Sequence, residues 1–223
     1  MSFSLAVKHI FDNPKWFLRL VLAALFVPIP IIGQLYLLGW AMEVVRRVIE
    51  GEEETLPELE FSKFFKRGFF VAVITIAYLI IPSILLGITT GGTALGELVD
   101  NETLEIALLV VTVCLSILGF IFILVVWFIF PAVFGNFVAE DKFSAGFNLK
   151  QIFALLKAAP ATYLAVLGGS ILAAMICSIA VVSTVVVTPL NTLLYAPVFF
   201  AILTHMWGQA YLKAKQNLDL KEE

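Results

Sequence analysis

Charge is scarce in this sequence. Lys, Arg, Asp and Glu make up 14% of the residues, with 14 basic against 17 acidic, where a soluble domain carries about a quarter. No basic cluster interleaved with aromatics occurs, which speaks against nucleic acid as a partner. Histidine is almost missing: His9 and His205 are the only two, too few to supply the nitrogen and sulfur ligands that zinc wants. Cys114 and Cys177 both fall in apolar stretches and read as small core residues, not as a disulfide or metal pair. Absent too are G-x-S-x-G, H-E-x-x-H, a phosphate loop and the Rossmann fingerprint. The expectation is therefore no catalytic residue, no metal and no cofactor. MSFSLAVKHIFDNPKWF places charge and Pro14 ahead of any long apolar core, and no A-x-A-like site follows, so no cleavable signal is expected.

What is present is apolar. Hydrophobic residues reach 61% and the mean hydropathy is +1.02. A fold of 223 residues buries only part of its surface and could not hide so much apolar area from water. Lipid is the natural solvent, and several runs exceed the length that spans a bilayer. The short alternating segments of a membrane β-barrel are not visible. The fold class is all-α: a polytopic helical membrane protein, expected to place about six helices in the membrane as three antiparallel hairpins, 16–45, 69–138 and 161–212. Residues 1–212 are read as a single membrane domain, and 213–223 as a solvated cytoplasmic tail.

Punctuation between the runs supports this division. FSLAVKHIFD (3–12) reads as a short amphipathic helix in the membrane interface, ended by Asn13-Pro14. Residues 56–68 and 143–157 are amphipathic as well. Residues 69–89 read as a span kinked at Pro82, GGTALGELVDNETLE (91–105) as a loop, and 106–138 as a run broken near Pro131. VTPLN (187–191) reads as the last turn.

LFVPIPIIGQLYLLGW (25–40) decides the topology of the first part. Positive charge collects on the cytoplasmic side of membranes. The 91–105 loop has Glu97, Asp100, Glu102 and Glu105 and no Lys or Arg, so it belongs outside. If 16–45 crossed once, Lys8 and Lys15 would lie outside too. If the chain turns at Pro28, Pro30, Gly33 and Gln34, all 14 cationic residues and both termini are cytoplasmic. The turn is preferred. Its first arm, 16–27, is about 18 Å of helix against a core about 30 Å thick, so the hairpin is short and read as re-entrant. A turn at depth must be shielded by protein, and the Gln34 amide is a donor for carbonyls freed by the prolines.

The same segment carries a resemblance. The turn I-P-x-x-G-Q-x-x-L-x-G (29–39), the basic pair Arg46-Arg47, and GEEETLPE (51–58) before an aromatic amphipathic stretch resemble a prokaryotic integral-membrane family known only as a domain of unknown function, number 4013. The likeness covers roughly 16–212. One departure is Leu59, where that family would place an aromatic. Residues 131–164 resemble, more loosely, the membrane domain of glycerophosphodiester phosphodiesterases, without any catalytic barrel. Both likenesses bear on architecture and imply no reaction.

Charged and polar groups in apolar runs are the remaining candidates. Arg19 and Glu43 would meet at similar depth if the first hairpin turns back, as a candidate intramembrane ion pair whose plainer role is structural. His205 and Gln209, four apart, share a helix face near the inner interface, as a headgroup contact or, more plainly, as interhelical glue. Gly169, Ser170, Ala173 and Ala174 form a small-residue face for helix packing, with the partner in this chain or another. The first and third hairpins share a Pro-aromatic start and a Pro-containing turn, for which chance similarity is the plainer account than an internal repeat.

The function these features favour is a non-enzymatic scaffold, assembly factor or accessory subunit of the cell membrane. Its partners are membrane lipids, together with a membrane protein or a second copy. The alternative is a small-solute or lipid transporter, and a membrane-embedded enzyme comes third.

Overall fold

The computed structural model describes residues 2–96, 101–184 and 189–222. Among them the chain forms eight α-helices, one 3-10 turn and no strand. The helices are α1 (Phe3–Asp12), α2 (Trp16–Ala24), α3 (Ile32–Glu50), α4 (Phe61–Gly96), α5 (Glu102–Glu140), α6 (Leu149–Ala158), α7 (Pro160–Thr184) and α8 (Pro189–Glu222); the 3-10 turn is Phe143–Phe147. Among the described residues, three segments are long and apolar enough to cross a membrane: Phe61–Ala94, Glu102–Glu140 and Pro160–Ile179.

The chain packs as two compact units. One is Ile74–Phe128, formed by the distal part of α4 and the proximal part of α5. Its two helices run antiparallel: Gly119 lies against Leu86, and Gly92 against Thr112. Thr89 and Thr112 are buried between them, while Ile76, Ile80, Ile84, Leu109, Val110 and Phe120 are exposed on the outside. Such a hairpin is apolar on the face where a soluble protein would be polar, as lipid requires. The expected loop at 91–105 is thereby shortened. Thr89, Thr90 and Thr93 hydroxyls back-bond to carbonyls of the preceding turn, and α4 runs on through Gly91 and Gly92 to Gly96. Glu102 and Glu105 sit in the first turn of α5, where acidic side chains suit the helix dipole. Glu97 and Asp100 lie outside the described residues. Pro82 and Pro131 both stay inside continuous helices.

The other unit is Met1–Val73 with Ile129–Glu223. Its centre is α8, which packs on α3, α7, α6, α1 and α2. Ala201, Leu203, Met206, Ala210 and Ala214 line the buried side of α8. The stretch read as a solvated tail continues this helix, and Asn217 Nδ2 donates to the Ala158 carbonyl at 2.8 Å. Pro189 opens α8, a position where its missing N–H costs nothing. The rest of the expected VTPLN turn, at 187–188, lies outside the described residues.

Residues 25–31 reverse the chain between α2 and α3. Phe26 stacks on Tyr36 with ring centroids 3.8 Å apart. The reversal closes on a tight turn: Ile32 N–H donates to the Pro30 carbonyl at 2.7 Å, and Ile31 between them takes φ 63 and ψ −65. That is a γ-turn of the rarer, strained hand, at a β-branched residue that seldom adopts positive φ. The tip is apolar and exposed, with Ile31 74% accessible. α2 has nine residues, about 14 Å, and α3 nineteen, about 28 Å. The arms are therefore unequal, and α3 extends five residues past the expected end of the hairpin. It stops at Gly51, whose φ of 71 needs no Cβ; the N–H groups of Gly51 and Glu52 return to carbonyls of Val48 and Arg47. α3 and the start of α4 then cross closely enough that a Cβ on Gly39 would overlap the Phe64 carbonyl, and one on Gly68 the Leu35 carbonyl.

Candidate functional site

Glu43 is fully buried near the end of α3 and is the centre of a charge cluster. Arg46, one turn on, places Nη2 2.7 Å from Glu43 Oε1. Lys63 Nζ from the first turn of α4 reaches the same oxygen at 2.9 Å. Arg67, one turn further along α4, pairs with Oε2 through Nη1, and Arg47 stands at 3.9 Å. Removing a carboxylate from water costs several kcal/mol, and that cost is offset only when partners and hydrogen bonds surround it. Glu43 has both.

The cluster extends outward through the arginines. Arg46 also pairs with Glu50 and, at 3.0 Å, with Glu52. Arg67 Nη2 reaches Asp141 Oδ1 at 3.2 Å. Asp141 follows the end of α5 with φ 48, a left-handed conformation that Asp tolerates better than most residues. Glu43 thus joins α3, the start of α4 and the end of α5 inside one unit.

Arg19 does not pair with Glu43, contrary to the sequence-based expectation. Its Nη1 donates to the Leu56 carbonyl at 2.6 Å, and its Nη2 contacts Glu54 and Glu58, each at 2.8 Å. Arg47 reaches the same loop, donating to the Glu54 carbonyl at 2.9 Å and to that of Leu56 at 3.4 Å. Asn13 adds a contact to Glu54 at 3.4 Å. The segment following α3 is thus a strap bound by both arms of the hairpin, with Leu56 fully buried beneath it. The strap begins in the acidic run 50–54, whose charge density taken alone reads as a solvated turn. Its only clue was the spacing of the basic pair from Leu-Pro, and spacing does not name the carbonyl.

Other sites fall as follows. Gln34 Nε2 donates to the Val27 carbonyl at a long 3.4 Å, across a turn in which Pro28 and Pro30 are exposed and Gly33 buried. His205 Nδ1 and Gln209 Nε2 are 2.9 Å apart, and this polar face receives α1. Gln209 Oε1 accepts from the Ser2 N–H at 2.8 Å, Gln209 Nε2 donates to the Ser2 carbonyl at 3.2 Å, and His9 stacks on His205 with centroids 4.0 Å apart. Ser2 and His9 were missed because nothing local links them to residues two hundred positions away. Burial pushes the His9 imidazole down from 6.5 to about 4, against smaller opposing effects of the Ala6 and Leu5 backbone and of Asp12. The small-residue face of α7 packs within this chain: Met206 of α8 lies on Gly169, Ser170 and Ala173 are buried, and Ala174 is half-buried.

Two cavities flank these clusters. One, of about 430 Å³, is lined by Lys63, Lys66, Arg67 and Asp141 with Phe70, Phe137 and Phe143. The other, about 290 Å³, lies between α2, α3 and the strap, with Arg19, Tyr36, Trp40 and Pro57 in its wall. The Tyr36 hydroxyl and Arg19 Nε are buried without hydrogen-bond partners. Among the described residues no group of three His, Cys, Asp or Glu side chains could hold a metal ion.

No curated protein matches the chain, and no solved structure does. The looser likeness of 131–164 to the glycerophosphodiester phosphodiesterase membrane domain finds no support. One family model matches, over residues 21–204, a span that holds the hairpin turn, the Glu43 cluster and the strap. The chain belongs to DUF4013, a family of proteins of unknown function.

Proposed function

We propose that this protein is a non-enzymatic scaffold, assembly factor or accessory subunit of the cell membrane, with both termini on the cytoplasmic side. The observation that carries the reading is the Glu43 cluster. Its charges pair with one another and tie α3, the start of α4 and the end of α5 together. In the same unit, α1 and α6 leave Leu5, Phe11, Leu149 and Phe153 exposed. A tied base with apolar residues presented on short helices suits docking to a partner at the membrane surface. In this reading the first hairpin is re-entrant, its apolar tip dips into lipid from the cytoplasmic side, and α8 supplies a further embedded helix.

Crosslinking in native membranes, followed by identification of co-purified proteins, tests the reading. A reproducible partner whose crosslinks fall on α1 or α6 supports it. A lone monomer with no crosslinked partner contradicts it. A second reading, a lipid transporter, is favoured by the smaller cavity, where the unpartnered Tyr36 hydroxyl and Arg19 Nε could hold an acceptor. Lipid exchange between vesicles that depends on Tyr36 would favour that alternative.

A further inference from the structure

We infer that the cavity walled by Lys63, Lys66, Arg67 and Phe70 binds the phosphodiester headgroup of an acidic phospholipid. Lys63, Lys66 and Arg67 face the cavity against Asp141, and Glu43 lies buried behind them. Glu43 is shared with Arg46, and Lys63 also lies 3.7 Å from Glu60; of the three cations Lys66 alone makes no ion pair among the described residues, and a headgroup with one net negative charge supplies its counter-charge. Lys63 and Arg67 are already held by Glu43 and Asp141, so they are oriented before a ligand arrives. Lys66 is exposed and supplies the remaining charge.

These cations occupy the first turns of α4, a helix whose segment Phe61–Ala94 is long and apolar enough to cross a membrane. Basic residues at that place stand at headgroup depth, and the helix N-terminus adds partial positive charge. Phe70 and Phe143 pack with ring centroids 5.5 Å apart, and Phe143 is 39% exposed. A soluble phosphate has no use for that apolar surface, whereas the glycerol and first acyl carbons of a lipid do. The inference goes beyond the scaffold reading and does not depend on it.

The test uses the full chain in detergent micelles, with bound lipid counted by native mass spectrometry. Phosphatidylglycerol is expected to bind about fivefold or more tightly than phosphatidylcholine, with Lys66→Ala weakening it by about fivefold, near what one basic residue contributes at a membrane surface. Lys66→Glu should remove the preference, and Lys150→Glu, an exposed lysine on α6, should not. Helical content and thermal midpoint of each variant establish that it is folded. Equal affinity for the two lipids, or a preference that survives Lys66→Glu, would overturn the inference. Displacement of phosphatidylglycerol by millimolar inorganic phosphate would overturn the lipid assignment in favour of a soluble phosphate ester.

Discussion

Arg19 and Arg47 donate to the same carbonyl oxygen, that of Leu56, from opposite arms of the first hairpin. Twenty-eight positions apart in sequence, they converge because residues 25–31 reverse the chain. The strap they hold closes the open end of the hairpin, and Arg19 makes the shorter contacts to it, at 2.6–2.8 Å. Arg19→Ala leaves the Leu56 carbonyl without its shorter hydrogen bond. The expected cost is about 1–3 kcal/mol, read as a lower thermal midpoint in detergent. Arg19→Lys should recover only part, because one ammonium cannot reproduce a planar fork.

Glu43 predicts a larger effect. Replacing it with Gln leaves Arg46, Lys63 and Arg67 facing one another without their shared counter-charge. Breaking a buried ion pair in this way costs about 3–5 kcal/mol. Adding Lys63→Met to Glu43→Gln should return part of that loss, since one uncompensated cation is gone. A double variant no more stable than the single one would show that the cluster is not coupled as described.

Two of the helical glycines, Gly39 and Gly87, should respond in opposite directions. Gly39→Ala drives a methyl group into the Phe64 backbone and should cost about 1–3 kcal/mol. Nothing lies within 4 Å of a Cβ at Gly87, so Gly87→Ala should be neutral or stabilise by up to about 1 kcal/mol through the smaller entropy loss. Melting curves of the pair check both signs.

His9 predicts a pH dependence. The docked imidazole is held down to about 4 from 6.5, so released α1 takes up a proton more readily than docked α1. Docking is therefore fully stable above about pH 6.5 and weakens as pH falls from there towards 4. Hydrogen exchange of the α1 amides should rise across that window. His9→Phe keeps a ring against His205 and removes one of the two stacked imidazoles, so the profile should become shallower.

Much of the architecture was legible in the sequence, for a physical reason. Apolar runs longer than a bilayer leave little choice but helix, and Asn13-Pro14 and the Pro28/Pro30 turn punctuate the chain where they were expected to. The boundaries that shifted did so at residues whose preference is weak. Gly91 and Gly92 read as a loop, yet α4 continues through them, because threonine hydroxyls can bond within the helix and an apolar environment penalises unpaired backbone. Site residues were named more readily than their partners. Arg19, Glu43, His205 and Gln209 stood out as polar groups in apolar runs, but Leu56, Lys63, Ser2 and His9 were supplied by packing between distant segments. Depth along a helix suggested that Arg19 and Glu43 should meet; the strap, which carries no apolar pattern to fix its path, takes Arg19 instead.

The reversal at residues 25–31 is the central claim, and labelling at its two ends tests it most directly. Cys114 and Cys177 are first replaced by Ser, and single cysteines are then introduced at Lys15 and Glu53, both exposed, one before α2 and one after α3. An impermeant thiol reagent is applied to sealed vesicles of known orientation. The account predicts that both positions react from the cytoplasmic face and neither from the outer face; reaction of Lys15→Cys from one face and Glu53→Cys from the other would mean that residues 16–45 cross the membrane once.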